Sequence, residues 1–136
     1  MPDDHEYIFT YGTLMPGYGN YRRIEQFVHG VKQSSIRGIL VDLGPFPALL
    51  KGEGIVKGML LTVDREALEI TDFIEGYQPD RKGNLYVREE VEVELDDGGK
   101  VTAWTYFYAD PDRLRDQPLL KVGEKEGVPL FEWTAS

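Results

Sequence analysis

Cysteine is absent from the 136 residues, which removes disulfides, thiolate metal sites and a cysteine nucleophile from consideration. The same absence fits an intracellular setting, and a cytoplasmic location is expected. Long apolar runs are missing too. No stretch approaches the ~18 apolar residues of a membrane span, and the start Met1-Pro2-Asp3-Asp4-His5-Glu6 lacks the basic residues and apolar run of a signal peptide. Positive charge is scarce: 15 Lys and Arg stand against 24 Asp and Glu, a net −9. Phosphate backbones and anionic lipid surfaces are repelled by such a chain, so neither nucleic acid nor membrane is an expected partner. Histidine occurs only at His5 and His29. Neither has metal-ligand spacing around it or a serine-containing elbow motif nearby, so no metal site is expected and neither histidine is read as the proton carrier.

What is present suits one ordinary domain over residues 1–136. Apolar residues make up 41% and charged residues 29%, normal for a globular protein, and a chain of this length buries about two-thirds of its unfolded surface. Of the 24 acidic residues, 12 fall between Asp64 and Asp97, with four basic residues among them. A solvated acidic face explains most of these. Position, not number, has to single out a working carboxylate.

Residues 6–11 (EYIFTY) form a β-branched and aromatic run that predicts a strand, stopped by Gly12 and followed by irregular chain through Pro16, Gly17 and Gly19. Residues 20–27 (NYRRIEQF) predict a short helix with Asn20 as its cap. Residues 35–43 predict a second strand, and Pro45-Phe46-Pro47 break it. Glu53, between two glycines, reads as a turn residue. Residues 55–63 predict a third strand, in which Gly58 marks a bulge or a close backbone approach. Asp64 then caps a predicted helix to about Ile74, and Gly76 sits where a left-handed C-terminal cap belongs. After a polar loop at 77–84, the alternation of Leu85, Val87, Val91, Val93 and Leu95 predicts a strand, turned at Asp97-Gly98 into a hairpin partner at 101–108. The tail after Asp110 shows no clear periodicity. Five to six strands with few helices and short connections predict a mixed sheet curled into a small β-barrel, class α+β. A monomer or weak homo-oligomer is expected.

Two local features can carry chemistry. The Gly-containing loop Tyr11-Gly12-Thr13-Leu14 leaves a strand and can aim successive backbone N–H groups into one concavity, a cradle for an anion; an ordinary tight turn is the plain alternative. Glu75 is placed at the last turn of its helix, where the helix dipole is negative and raises a carboxyl pKa. Asp72, on the same helical face, is expected to add like-charge pressure. A carboxylate raised toward neutrality is suited to taking and returning protons; simple exposure at a helix end is the alternative. Trp104-Thr105-Tyr106-Phe107-Tyr108 reads first as core packing, with Tyr106 and Tyr108 on one face where a hydroxyl could reach a substrate.

The order of these features resembles a known family. YGTL at 11–14 is followed by Gly17 and Asn20, then FPALL-x-G-x-G-x-V-x-G at 46–58, D-x-x-E-G-Y at 72–77, Y-V-R at 86–88 and A-W-T-Y at 103–106. In this order and approximate spacing they resemble the γ-glutamylcyclotransferase-like family, over about residues 6–108. The resemblance implies a small mixed β-barrel with flanking helices, no metal or cofactor, and a small-molecule γ-glutamyl substrate cyclised to 5-oxoproline. It implies that Gly12, Thr13 and Leu14, with Tyr11, bind the γ-glutamyl moiety. It makes Glu75 the general acid/base and maps the remaining elements onto Tyr86, Arg88 and Tyr106. Strand alternation puts Tyr86 and Arg88 on the face of Glu90, Glu92 and Glu94. Either a twist or bulge near Glu89 turns them inward, or Arg88 is structural and pairs with an acid; the structural role is expected. A carboxylate-binding module without catalysis, and hydrolysis of an acyl amide by water, are the competing functions.

Overall fold

The computed structural model describes residues 5–134. Its strands are β1 (His5–Thr10), β2 (Val28–Asp42), β3 (Pro47–Asp64), β4 (Tyr86–Leu95), β5 (Lys100–Tyr108), β6 (Lys121–Lys125) and β7 (Val128–Phe131), with one α-helix, α1 (Arg65–Ile74). The sheet runs β1-β5-β4-β2-β3-β7-β6, and an added β1–β3 pairing closes its first five strands into a barrel. Within the ring β1 and β5 are parallel and the other pairs antiparallel, so the predicted mixed barrel is present. The strand count is seven, two more than the barrel needs.

β1 explains why its run is apolar without alternation. Ile8 and Phe9 point to opposite faces and both are buried. Phe9 joins the barrel interior with Leu40, Leu49, Val56, Val93 and Phe131, whereas Ile8 joins a second core with Leu61, Val63, Ala67 and Leu68 under α1. A strand covered on both faces has no reason to alternate. Each aliphatic side chain buried this fully contributes about 1.5–3 kcal/mol, and the second core is what fixes α1 to the barrel.

β2 and β3 form a long hairpin, and the predicted strands at 35–43 and 55–63 were too short: β2 begins with the largely exposed 28–34, and β3 begins with the buried run 47–49, at the end of the predicted break. Its register slips between Arg37 and Ile39, which pair with Ile55 and Leu50. Glu53 therefore lies in a strand at a wide bulge opposite Gly38, not in a turn. Gly58 is a true close approach: a Cβ there would stand 2.2 Å from the backbone oxygen of Thr10. β4 and β5 pair without a slip from Tyr86↔Tyr108 to Glu94↔Lys100, around Gly98 at φ 94.

Three local expectations are corrected. The helix over 20–27 is two short 3-10 segments, Gly19–Arg23 and Glu25–Phe27, and Asn20 caps neither of them. Asp64 occupies the N-cap position of α1 without a side-chain cap bond; its Oδ1 lies 2.7 Å from His29 Nε2 instead. The tail after Asp110 adds the β6–β7 hairpin, turned through Glu126 and Gly127 at φ 53 and 81, the two positive angles of a type I′ turn. β7 pairs parallel to β3 and brings Phe131 into the barrel core. Among the described residues, no helix is long and apolar enough to cross a membrane.

Candidate active site

The cavity at the α1 end of the barrel has a volume of about 470 Å³. Its wall includes Tyr11, Gly12, Thr13, Leu14, Glu75, Tyr86 and Tyr106; Arg88 does not line it, and Tyr108, the other hydroxyl considered from the sequence, lines a separate hollow with Lys51 and Glu89. Phe46, Leu85 and Arg81 also line the cavity, and Phe46 and Leu85 are 39% and 45% exposed, which places them at the mouth.

The 11–14 loop is pinned from both sides. Tyr11 is buried, and its hydroxyl donates to the Tyr106 carbonyl at 2.6 Å. A single backbone bond closes the loop, from Met15 N–H to the Gly12 carbonyl at 3.0 Å. Among the described residues, no backbone carbonyl accepts from the N–H of Thr13 or Leu14. Gly12 has no room for a side chain, since a Cβ would stand 2.9 Å from Pro47 Cδ. Asn20, expected to cap a helix, donates through Nδ2 to Thr13 Oγ1 at 2.8 Å and so fixes the loop.

Glu75 is set by the end of α1. The N–H of Gly76 bonds to the Phe73 carbonyl at 3.1 Å and that of Tyr77 to Asp72 at 2.8 Å, the double closure of a Schellman motif. It requires a left-handed residue after the C-cap, supplied by Gly76 at φ 68. The C-cap residue is Glu75, which lines the cavity. Burial raises the Glu75 pKa from an ordinary 4.5 to about 7. The direction is the one expected, but the cause is desolvation.

Asp72 does not press on Glu75. Its Oδ2 accepts from Arg88 Nη1 at 2.8 Å, and its Oδ1 accepts from the Tyr106 hydroxyl at 2.6 Å. Burial raises the Asp72 pKa, and these two partners pull it partly back. The Arg88 guanidinium lies 4.7 Å from the Trp104 ring centroid. Arg88 is thus paired with an acid on a strand without a bulge, the structural alternative drawn from the sequence. Tyr106 is held by Asp72 and by Thr71 at 2.7 Å, so its hydroxyl serves the wall of the cavity. Tyr86 likewise donates to the Pro47 carbonyl at 3.1 Å. Burial, and after it the Glu75 carboxylate, pushes the phenols of Tyr11 and Tyr86 well up; both stay protonated.

Residues 8–130 match the model of the family described as gamma-glutamyl cyclotransferase, AIG2-like. The chain belongs to that family. It is 34% identical over 134 residues to the gamma-L-glutamyl-butirosin B gamma-glutamyl cyclotransferase of Niallia circulans, covering 90% of this chain and 85% of the relative. The crystal structure of an AIG2-like protein from Mus musculus superposes with a TM-score of 0.70 at 25% identity, over 92% of both chains. A solution structure from Arabidopsis thaliana shares the fold, with a TM-score of 0.61 at 22% identity, over 93% of this chain and 80% of that one. The barrel with its appended hairpin is therefore the gamma-glutamyl cyclotransferase fold, and the family is one of enzymes.

Some contributors to this cyclotransferase-type cavity escape a reading of the sequence. Arg81 donates to the Gly76 carbonyl and, at 2.9 Å, to Asn84 Oδ1. Asn84 Nδ2 donates to the carbonyls of Gln78 at 2.8 Å and Arg81 at 3.2 Å. This knot shapes the 77–84 loop at the mouth; its one sequence signal is an Asn next to Gly83. The histidines lie elsewhere. His5 opens β1 and His29 sits in β2, both beside Asp64 at the far end of α1.

Proposed function

We propose that this protein cyclises the γ-glutamyl group of a γ-glutamyl amide to 5-oxoproline and releases the amine, with Glu75 as general acid/base. The observation that carries the reading is a carboxyl group of pKa about 7 in the same cavity as a loop with free amides. The relative in Niallia circulans is named for a γ-L-glutamyl amide substrate, which supports that substrate class.

The loop amides of Thr13 and Leu14 receive the substrate's α-carboxylate, as oriented backbone N–H groups receive anions elsewhere. The ionised Glu75 takes a proton from the α-ammonium. The freed amine attacks the γ-carbonyl carbon, forming the N–C bond of a five-membered lactam. The bond from that carbon to the departing nitrogen breaks as protonated Glu75 returns its proton to that nitrogen, and the second proton shed by the attacking nitrogen goes to the same amine, which leaves as an ammonium ion. No proton is gained or lost overall, and water is not consumed. Because nucleophile and electrophile belong to one molecule, part of the about 7–11 kcal/mol that orientation can supply is already built into the substrate; the cavity adds the correct fold of its chain, and the positioned acid/base about 10²–10⁴ in rate.

The test is a panel of γ-glutamyl amines and dipeptides assayed for 5-oxoproline. Release of 5-oxoproline, lost in Glu75→Gln, is expected. Free glutamate as the product instead would mean hydrolysis, and a ligand bound without turnover would mean a binding module.

A further inference from the structure

At the opposite end of α1 from Glu75, three strand ends meet. His5 is the first residue of β1 and pairs with Asp64, the last residue of β3. The β2–β3 register slips between Val28 and Gly30, so His29 is the extra residue of a bulge, a device that re-aims a side chain. The result is a compact cluster. The rings of His5 and His29 stack with centroids 4.6 Å apart. Asp64 Oδ1 lies 2.7 Å from His29 Nε2 and 3.9 Å from His5 Nε2, and ligand atoms of all three residues fall within 4.8 Å of one another.

We propose that His5, His29 and Asp64 form a binding site for a borderline transition-metal cation such as Zn2+, separate from the cavity. Two imidazoles and one carboxylate are a donor set that Zn2+ accepts, with bonds of about 2.0–2.2 Å. Tetrahedral bonds of that length place neighbouring donor atoms about 3.3 Å apart. The distances of 2.7 and 3.9 Å lie on either side of that value, so small side-chain rotations complete the geometry. The side chains of His5, His29 and Asp64 are 35%, 45% and 35% exposed, which gives the ion access and leaves its fourth position to water. The net charge of −9 favours cations near the surface. Asp64 has no cap bond to α1 to surrender. An ion here ties β1, β2 and the start of α1 together, about 16 Å along the helix from Glu75, and leaves the chemistry of the cavity alone.

The full-length protein, freed of metal by chelation, is titrated with ZnCl2 by calorimetry, and its thermal midpoint is followed with and without the ion. One Zn2+ per chain and a raised midpoint are expected. His29→Gln and Asp64→Asn should each weaken binding at least about tenfold with 5-oxoproline release unchanged. Co2+ should give the visible absorption of a four-coordinate ion in the parent protein and lose it in His29→Gln. Absence of saturable binding, or binding of equal strength in both variants, overturns the site and reduces the cluster to an ion pair.

Discussion

Replacing Glu75 by glutamine should make the protein less active and more stable at once, with the gain in stability present only above acid pH. The carboxyl group has a pKa of about 7 in the fold and an ordinary 4.5 outside it. The folded state therefore holds the proton more tightly than the unfolded state. Below pH 4.5 both states are protonated, and the residue carries no penalty. As pH rises from 4.5 to 7 the unfolded state ionises first, and stability falls; above 7 the loss is complete. A difference of about 2.5 in pKa at 1.36 kcal/mol each amounts to about 3 kcal/mol. That is an upper limit, because water in the open cavity solvates part of the charge. Glutamine keeps the shape and cannot ionise. Urea denaturation at pH 4.5 and pH 8 reads the effect: the two proteins should be nearly equal at the lower pH, with the variant ahead by up to about 3 kcal/mol at the higher. Turnover should drop about 10²–10⁴-fold, and kcat/KM of the parent should rise with pH through about 7. A stability difference that does not change with pH would refute the burial of this carboxylate, and full turnover in the variant would refute its role.

Other outcomes follow from the same geometry. Gly58→Ala pushes a methyl group against the Thr10 backbone oxygen, 2.2 Å from where it must go, and should cost about 3 kcal/mol, seen as a lower midpoint in thermal denaturation. Gly76→Ala forces an L-residue into the left-handed cap at φ 68; about 1–2 kcal/mol of stability should be lost, and kcat should fall because the cap aims Glu75. Arg88→Met leaves the Asp72 carboxylate without its cation at 2.8 Å and should destabilise by about 1–3 kcal/mol. Adding Asp72→Asn should restore part of that, and the double-mutant cycle by denaturant unfolding measures the coupling.

Where local chemistry ruled, the sequence was readable. Asp97-Gly98 dictates a hairpin turn whatever surrounds it, and β4–β5 lies where alternation and turn placed it. Gly76 likewise needs only its own backbone angle. The first part of β2 was not readable, because 28–34 is largely exposed and its pairing is decided by the opposite strand; in β3, the buried run 47–49 starts on a proline break and is separated from 55 by residues 51–54 at the register slip, so its sequence does not read as one strand. β6 is similar: KVGEK has no buried face, and only its partner makes it a strand. In the cavity, Glu75 and the 11–14 loop could be named from motif order. The bonds that hold them could not. Asn20 to Thr13, Asp72 to Arg88 and Tyr11 to the Tyr106 carbonyl join positions 7, 16 and 95 apart, and nothing in residue type alone selects those partners. The helix expected at 20–27 is instead two 3-10 segments, with Asn20 inside the first of them and its Nδ2 bonded to the 11–14 loop.

The barrel axis is filled by Phe9, Leu40, Leu49, Val56, Val93 and Phe131, so nothing passes through the barrel to the cavity at its end. The cavity opens past the exposed side chains of Phe46 and Leu85. On the proposed mechanism, with the α-carboxylate seated on the loop amides, the newly closed ring is expected to sit deeper than the departing amine. That reading predicts ordered release, amine first and lactam last. In steady-state kinetics 5-oxoproline then competes with substrate for the emptied chamber, while the amine inhibits by re-entering behind a ring that has not yet left.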